Sequence, residues 1–315
     1  ASYGWEQINN GESITETTNI TIGDLSGVFT GYTNYQIISS NIEKVITNKY
    51  SESWALLKSD GRVETFGLIT NGGNSDNVNN DIMYDVSEVL VGLNSCIALK
   101  ENGKVVVWGN EYDGGDPETS VGLDNKTQQT LDKNILDDNV VKIHGLSGRY
   151  NTAWMIIKQD ISNNYVGYHW GNYGGTIMDE IIPENLDNLT LNIYSNNYSF
   201  AVIKNDKTVV TLGNKYRGGK LALYELKSFT NNQYNYEMKL DISSSDVTNI
   251  VDIVSTNKAY AGLKQDGTVI TWGEFNMNAY NEDISGVFNL TNVVKLYNSE
   301  TTFVALKNDG TIYTW

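Results

Sequence analysis

The chain has 315 residues, 38 acidic against 22 basic side chains, a formal charge of −16, one cysteine and two histidines. That charge repels phosphate and argues against a nucleic-acid-coating role, leaving basic proteins or divalent cations as charge-matched partners. Cys96 cannot close an internal disulfide, two histidines fall short of a usual zinc site, no apolar run is long enough to span a membrane, and no signal peptide is evident.

One phrase recurs six times in chain order. It first runs Trp54-Ala55-Leu56-Leu57-Lys58-Ser59-Asp60-Gly61 and on to Phe66-Gly67. The second copy passes from Cys96 through Lys100 and Gly103 to Trp108-Gly109, and a stretched third goes from Trp154 through Lys158 to Trp170-Gly171. The fourth runs from Phe200 through Lys204 to Leu212-Gly213, the fifth from Ala261 through Lys264 and Gly267 to Trp272-Gly273. The sixth leads from Ala305 through Lys307 and Gly310 to Trp315.

Alternating apolar residues on either side of Asp-Gly or Asn-Gly predict a β-hairpin with a two-residue type I′ turn, both central residues at positive φ. Asp206-Lys207 in the fourth copy should strain that turn, and Asp160-Ile161-Ser162-Asn163-Asn164 makes a longer loop of it in the third. Ahead of each hairpin lies a short β-branched run, such as Val89-Leu90-Val91 or Ile250-Val251-Asp252-Ile253, which predicts a further strand per unit. One short helix is conceivable at Asp132–Asp138.

The closing glycines at 67, 109, 171, 213 and 273 are spaced 42, 62, 42 and 60 residues apart, so short and long units alternate. One long unit before Gly67 lies Gly4, so the two ends of the chain fall in the same phase of the repeat. A ring closed by terminal strands in one blade, or a stretch of a longer array, would both give that match. The expectation is an all-β, single-domain β-propeller over 1–315, with units ending near residues 4, 67, 109, 171, 213, 273 and 315. Small units of this kind bury both faces only by stacking, and an open solenoid is the alternative arrangement.

The phrase Ala-x-Leu-Lys-x-Asp-Gly-x-Val-x-x-Trp-Gly resembles the regulator of chromosome condensation repeat. It is also similar to a secreted and surface-array branch of that family, in which Trp-Gly-Asn precedes an aromatic and a glycine pair. Here these are Trp108-Gly109-Asn110-Glu111-Tyr112-Asp113-Gly114-Gly115, Trp170-Gly171-Asn172-Tyr173-Gly174-Gly175 and Leu212-Gly213-Asn214-Lys215-Tyr216-Arg217-Gly218-Gly219. The resemblance implies a propeller, with seven blades in the founding members against six hairpins counted here. The founding nuclear member is an exchange factor for a small GTPase and docks on nucleosomes, while other relatives inhibit enzymes or serve as surface modules. A basic nucleosome-binding arm is missing, since the N-terminal segment carries Glu6, Glu12 and Glu16.

The lysines Lys58, Lys100, Lys158, Lys204, Lys264 and Lys307 read as hairpin caps, each ammonium near its turn carboxylate. Trp108, Trp170, Trp272 and Trp315 read as blade core rather than sugar platforms, and the glycine pairs as tight inter-blade turns rather than a nucleotide loop. The hard oxygens of Asp76, Asp81, Asp113 and Asp116 make the weak candidates for calcium, and no other cofactor is expected. His144 and His169 have no nucleophile arranged with them in sequence, and Cys96 reads as a buried small hydrophobe. Tyrosines in loops (Tyr32, Tyr35, Tyr112, Tyr173, Tyr216, Tyr234, Tyr236, Tyr280) suit a binding surface. The functional expectation is a non-enzymatic structural or protein-binding module on an extracellular or particle surface, with protein partners that include copies of itself. The alternative is a regulator of a small GTPase, or an inhibitor acting through one face.

Overall fold

The computed structural model describes residues 41–119, 132–146, 152–162, 164–172, 184–185, 192–230, 233–275 and 290–315. Gly4, the acidic N-terminal residues, Tyr32, Tyr35, Tyr173, Tyr280 and the pair Gly174-Gly175 lie outside them, as does any closure by an N-terminal strand.

Six antiparallel meanders follow one another, each with a first, second and third strand. Unit 1 is Ile42–Ile46, Ser53–Lys58 and Val63–Gly67; unit 2 is Val86–Val91, Ser95–Lys100 and Val105–Gly109. Unit 3 is Val140–Gly145, Ala153–Gln159 and Tyr165–Gly171; unit 4 is Asn192–Ser195, Ser199–Ile203 and Val209–Gly213. Unit 5 is Ile250–Ser255, Ala259–Lys264 and Val269–Phe275; unit 6 is Val293–Asn298, Phe303–Lys307 and Ile312–Thr314. The fold is an all-β propeller. Two units add strands: Glu184–Asn185 pairs with the third strand of unit 3, and a hairpin of Ala222–Thr230 and Gln233–Asp241 extends unit 5. That hairpin joins unit 5 in parallel, Leu223 opposite Gly273, which departs from the purely antiparallel blade the sequence suggested. In place of a helix at Asp132–Asp138 there is one 3-10 turn, Lys133–Leu136, capped by Asp132.

The hairpin turns differ from the expected type I′. Gly61 N–H donates to Lys58 O at 2.9 Å and Lys58 N–H to Arg62 O at 2.8 Å, which makes a three-residue loop in which Gly61 alone has positive φ, at 78°. Gly103 and Gly267 close the same loop on Lys100 and Lys264, and Gly310 on Lys307. The aspartate favours this form because its carboxylate accepts the N–H two residues on, as Asp266 does from Thr268 at 2.9 Å, and so stabilises a right-handed first half. Lys207 takes the glycine's place in unit 4 at φ 63°, so the strain is absorbed by a left-handed lysine and the hydrogen bonds are kept.

Five of the six first strands, all but that of unit 4, start after a left-handed Asn or Asp: Asn41, Asp85, Asn139, Asn249 and Asn292, at φ 55–69°. Its carbonyl accepts the N–H of the residue after the repeat lysine, as Asp85 O does from Glu101 at 2.8 Å. The next N–H crosses to the preceding unit: Val86 to Gly61 O, Val140 to Gly103 O, Ile250 to Lys207 O and Val293 to Gly267 O, all at 3.0 Å. Units 1 and 2, 2 and 3, 4 and 5, and 5 and 6 are thus clasped at their hairpin tips. Alternation along the strands gives each unit a rear face toward the preceding unit and a forward face toward the next. At joint 1–2, Ala55, Leu57 and Val63 meet Val86, Val89, Cys96, Ala98 and Trp108. Joints 2–3, 3–4, 4–5 and 5–6 repeat that scheme position for position. Leading segments add apolar lids, Ile82, Leu136, Val247 and Leu290, a turn ahead of the first strand.

The closing glycines are obligatory. Gly67, Gly109, Gly171, Gly213 and Gly273 have φ 107–113°, and a Cβ at Gly109 would sit 2.7 Å from the carbonyl oxygen of Asn94.

Candidate functional site

The turns between first and second strands gather at one end of the propeller. Those of units 1, 4 and 6 are each held by their own side chain. Asn48 Oδ1 accepts from Tyr50 N at 3.0 Å, Asn196 Oδ1 from Tyr198 N at 2.7 Å, and Ser299 Oγ from Thr302 N at 3.1 Å. The turns then bond to one another around the axis. Ser51 Oγ donates to Leu93 O at 3.3 Å, Asn94 N to Thr152 Oγ1 at 2.9 Å, Asn197 N to Asn257 O at 3.3 Å, and Asn257 N to Glu300 O at 2.8 Å.

Between the turns of units 1, 4, 5 and 6 lies a polar depression of about 180 Å³, whose walls include Lys49, Tyr50, Asn197, Asn257, Asn298 and Glu300. Asn298 Nδ2 donates to Ser255 O at 2.7 Å, and Ser255 Oγ to Ser195 O at 2.8 Å, so the wall is stiff. It presents amides, hydroxyls, one ammonium and one carboxylate, with no deep apolar pocket of the kind small cofactors need. Such a surface suits polar contacts with another protein.

The sequence candidates fall elsewhere. Trp108, Trp170, Trp272 and Trp315 are buried in the joints. Of the repeat lysines, Lys204 meets its own turn carboxylate, Asp206, at 3.6 Å. Lys58 instead pairs with Glu64, Lys100 donates to Asp81 O at 2.8 Å, and Lys158 meets Asp138 at 3.0 Å. The reason is direction: Asp81 and Asp138 sit in the leading segments, which these side chains reach along the rear face. Lys264 and Lys307 help to hold the carboxyls of Asp266 and Asp309 below the usual range, chiefly the work of Thr268 and Thr311 hydroxyls and N–H groups.

The four calcium candidates do not converge. Asp76 accepts from Asn74, Asp81 meets Lys104 at 2.9 Å, Asp116 meets Lys133 at 3.0 Å, and Asp113 accepts from Asn94 and Asn172 at 2.8 and 2.7 Å. Among the described residues no three His, Cys, Asp or Glu side chains gather in one place. His144 Nε2 lies 3.3 Å from Ser195 Oγ, a contact sequence did not reveal. Ser195 Oγ gives its proton to Gly145 O at 3.1 Å, so the imidazole donates to the serine, the reverse of nucleophile activation. Burial lowers both His144 and His169 to about 4 and raises the Cys96 thiol to about 12, leaving all three uncharged at neutral pH. Tyr112 is exposed, and Tyr216 packs edge-on against Tyr224 with ring centroids 5.1 Å apart. Tyr234 and Tyr236 lie in the added hairpin of unit 5.

Sequence reasoning also missed a buried ion cluster. Arg217 Nε meets Glu274 Oε2 at 3.1 Å, Glu274 Oε1 meets Lys258 at 2.6 Å, and the Arg217 guanidinium lies 4.0 Å from the Tyr198 ring centroid. Its signal was positional: Arg217 and Asp113 hold the same place in the glycine-pair turns, and Glu274 and Asn172 each follow a closing glycine.

No protein-family model matches this chain, and no curated protein is matched by its sequence. Among solved structures it is similar to Prp20p of Saccharomyces cerevisiae, at 15% identity over 84% of this chain and 70% of that one, with a TM-score of 0.38. A second structure, yeast RCC1 (Prp20) with Kap60 bound to it, matches at 14% identity, 87% and 69% coverage and TM-score 0.41. Human WBSCR16 matches at 18% identity and TM-score 0.36, with 70% of this chain covering 59% of that one. The propeller is written in this chain's own geometry: six meanders among the described residues, four of their five joints clasped hairpin tip to first strand, and closing glycines at φ 107–113°.

Proposed function

We propose that this propeller is a non-enzymatic protein-binding module whose working surface is the axial end where the first turns meet. The observation that carries the reading is the polar depression between Lys49 and Glu300, where the turns of units 4, 5 and 6 bond to one another and the turn of unit 1 completes the wall. A preorganised surface loses little entropy when it binds. The acidic charge of −16 favours a partner with basic character. The Trp-Gly-Asn motifs and the same charge support a place outside the cell or on a particle surface. No cofactor enters this reading.

The test is affinity capture with the full chain, each captured protein then re-bound in purified form by calorimetry. Substituting Lys49→Glu together with Glu300→Arg should weaken binding about tenfold or more with an unchanged melting temperature. Equal affinity for the substituted chain would overturn the axial assignment. The second reading, regulation of a small GTPase, draws on the repeat resemblance and on the neighbour described for its binding to Gsp1p and histones. Stimulated nucleotide release from a purified small GTPase would establish that reading over the first.

A further inference from the structure

Both histidines of this chain fall in one row of one unit. His144 on the first strand of unit 3 stands opposite Met155 on the second, and Met155 stands opposite His169 on the third. Alternation turns that row toward unit 4, where Met155 is fully buried against Phe200, Val202 and Leu212. His169 is buried, and the His144 ring meets the Phe200 ring at a centroid separation of 6.0 Å. The same row holds Leu90, Ile97 and Val107 in unit 2, and Val254, Ala261 and Thr271 in unit 5, none of which takes up a proton in acid.

His144 also holds the seam directly. Its Nε2 meets Ser195 Oγ of unit 4 at 3.3 Å, and that hydroxyl donates back to Gly145 O of unit 3 at 3.1 Å. Among the described residues, the titratable groups beside the row are Lys142 on the first strand and Tyr165 on the third. Unit 4 faces it with the Ser195 hydroxyl and the apolar side chains of Ile193, Phe200, Val202 and Leu212. A proton on either imidazole therefore meets an apolar seam and, at His144, the like charge of Lys142.

We propose that this row is an acid-operated latch: taking up protons parts the seam between units 3 and 4 while the other seams stay shut. Two imidazolium charges about 10 Å apart, two strand spacings, would also repel one another across the sheet. In the closed seam both rings stay neutral down to about pH 4, whereas in water an imidazole takes its proton near pH 6.5. The open seam thus binds protons first, and acid draws it open. Going from pH 7.5 to pH 5, the two histidines together should raise the opening constant about 500-fold. Ser195 O holds the Ser255 hydroxyl of the depression wall at 2.8 Å, so the latch borders the proposed working surface without depending on it.

The experiment reads each seam in the full chain by its own buried sulfur. Met155 is followed by mass spectrometry after a timed pulse of hydrogen peroxide, because a thioether has no proton to lose and oxidises once it is exposed. Met83, which is exposed, calibrates the peroxide at each pH. Cys96, fully buried in joint 1–2, reports that seam in a separate sample through a pyridyl disulfide, which attacks thiols in acid. From pH 7.5 to pH 5, Met155 should oxidise about 500-fold faster, or as fast as Met83, while Cys96 stays unreactive. With His144→Asn and His169→Gln together, Met155 should stay protected at pH 5. Three results overturn the latch: a wild-type Met155 protected at pH 5, a Cys96 that reacts at the same pH as Met155, or a double variant that opens as wild type does. The first two comparisons need wild type alone and decide the matter even where the double variant fails to fold.

Discussion

Joints 2–3 and 4–5 occupy equivalent places in the repeat and are held by different chemistry. At joint 2–3, Trp154 Nε1 donates to Ser95 Oγ at 3.0 Å, Trp170 Nε1 to Gly114 O at 3.1 Å, and Asp113 takes two amides. Every indole there has a partner. At joint 4–5 a tyrosine replaces Trp154. Tyr260 reaches Ser199 O at 2.6 Å and stacks on Trp272 at a centroid separation of 5.3 Å, and the Trp272 N–H finds no acceptor. Charge fills the same rim, as Arg217, Glu274 and Lys258. The scaffold therefore fixes where two units touch and leaves open whether neutral amides or ions complete the contact.

The largest expected effect breaks the charged rim. Glu274→Ala leaves Arg217, 5% exposed, without its carboxylate, and should cost about 3–5 kcal/mol in chemical denaturation. Asn172→Ala at the equivalent place should cost about 1 kcal/mol, because the Asp113 carboxylate retains Asn94. Equal costs at the two positions would show that the rim chemistry is immaterial.

The chain's two histidines set joint 3–4 apart from both. His144 contacts Ser195 and the Phe200 ring of unit 4, with Lys142 nearby, and His169 lies opposite Met155 on the same sheet. Both pKa values fall to about 4 in the fold, below an unfolded value near 6.5, so the unfolded chain takes up protons first as pH drops. Stability is full above pH 6.5 and is lost as pH falls from there toward 4, by about 3 kcal/mol for each histidine. Denaturation at stepped pH should show that slope, and His144→Asn with His169→Gln should flatten it. A slope unchanged in the double variant would place its origin in the carboxylates.

A smaller effect separates the two indoles. Trp170→Phe removes a hydrogen bond and leaves Gly114 O bare, whereas Trp272→Phe removes an N–H that has no partner. The first should cost about 1–2 kcal/mol more than the second. A larger loss at Trp272 would mean that its N–H is bonded in solution.

Much of the architecture could be read from the chain because it is local. Hairpin register follows alternation, and the closing glycines and the tryptophans before them recur at fixed offsets. The left-handed Asn and Asp residues were in view too, one before five of the six β-branched runs, but a single polar residue ahead of a strand reads as an ordinary turn until its φ is known. The loop type was misjudged because Asp-Gly serves two turns, and the bonds that Thr268 donates to the Asp266 carboxylate, which select one, are invisible to spacing. The joints were out of reach for another reason. Arg217 and Glu274 are 57 residues apart, and His144 and Ser195 are 51 apart, so only the stacking of whole units brings them together. The axial depression draws on turns of four units with no shared motif.

The weakest effect should run in the opposite direction. Units 4 and 5 close their hairpins with the same backbone bonds, Lys207 N to Lys204 O at 2.9 Å and Gly267 N to Lys264 O at 3.0 Å. They differ in the residue held left-handed, a lysine at φ 63° against a glycine at 81°. A side chain there crowds its own carbonyl, so Lys207→Gly should stabilise the chain by about 1 kcal/mol, less the contact from Lys207 Nζ to Gln265. Gly267→Lys should lose a similar amount, and the pair together should nearly cancel. If Lys207→Gly destabilises, the bond to Gln265 across joint 4–5 outweighs the backbone strain, and the exposed rim of that joint contributes more than its solvation suggests.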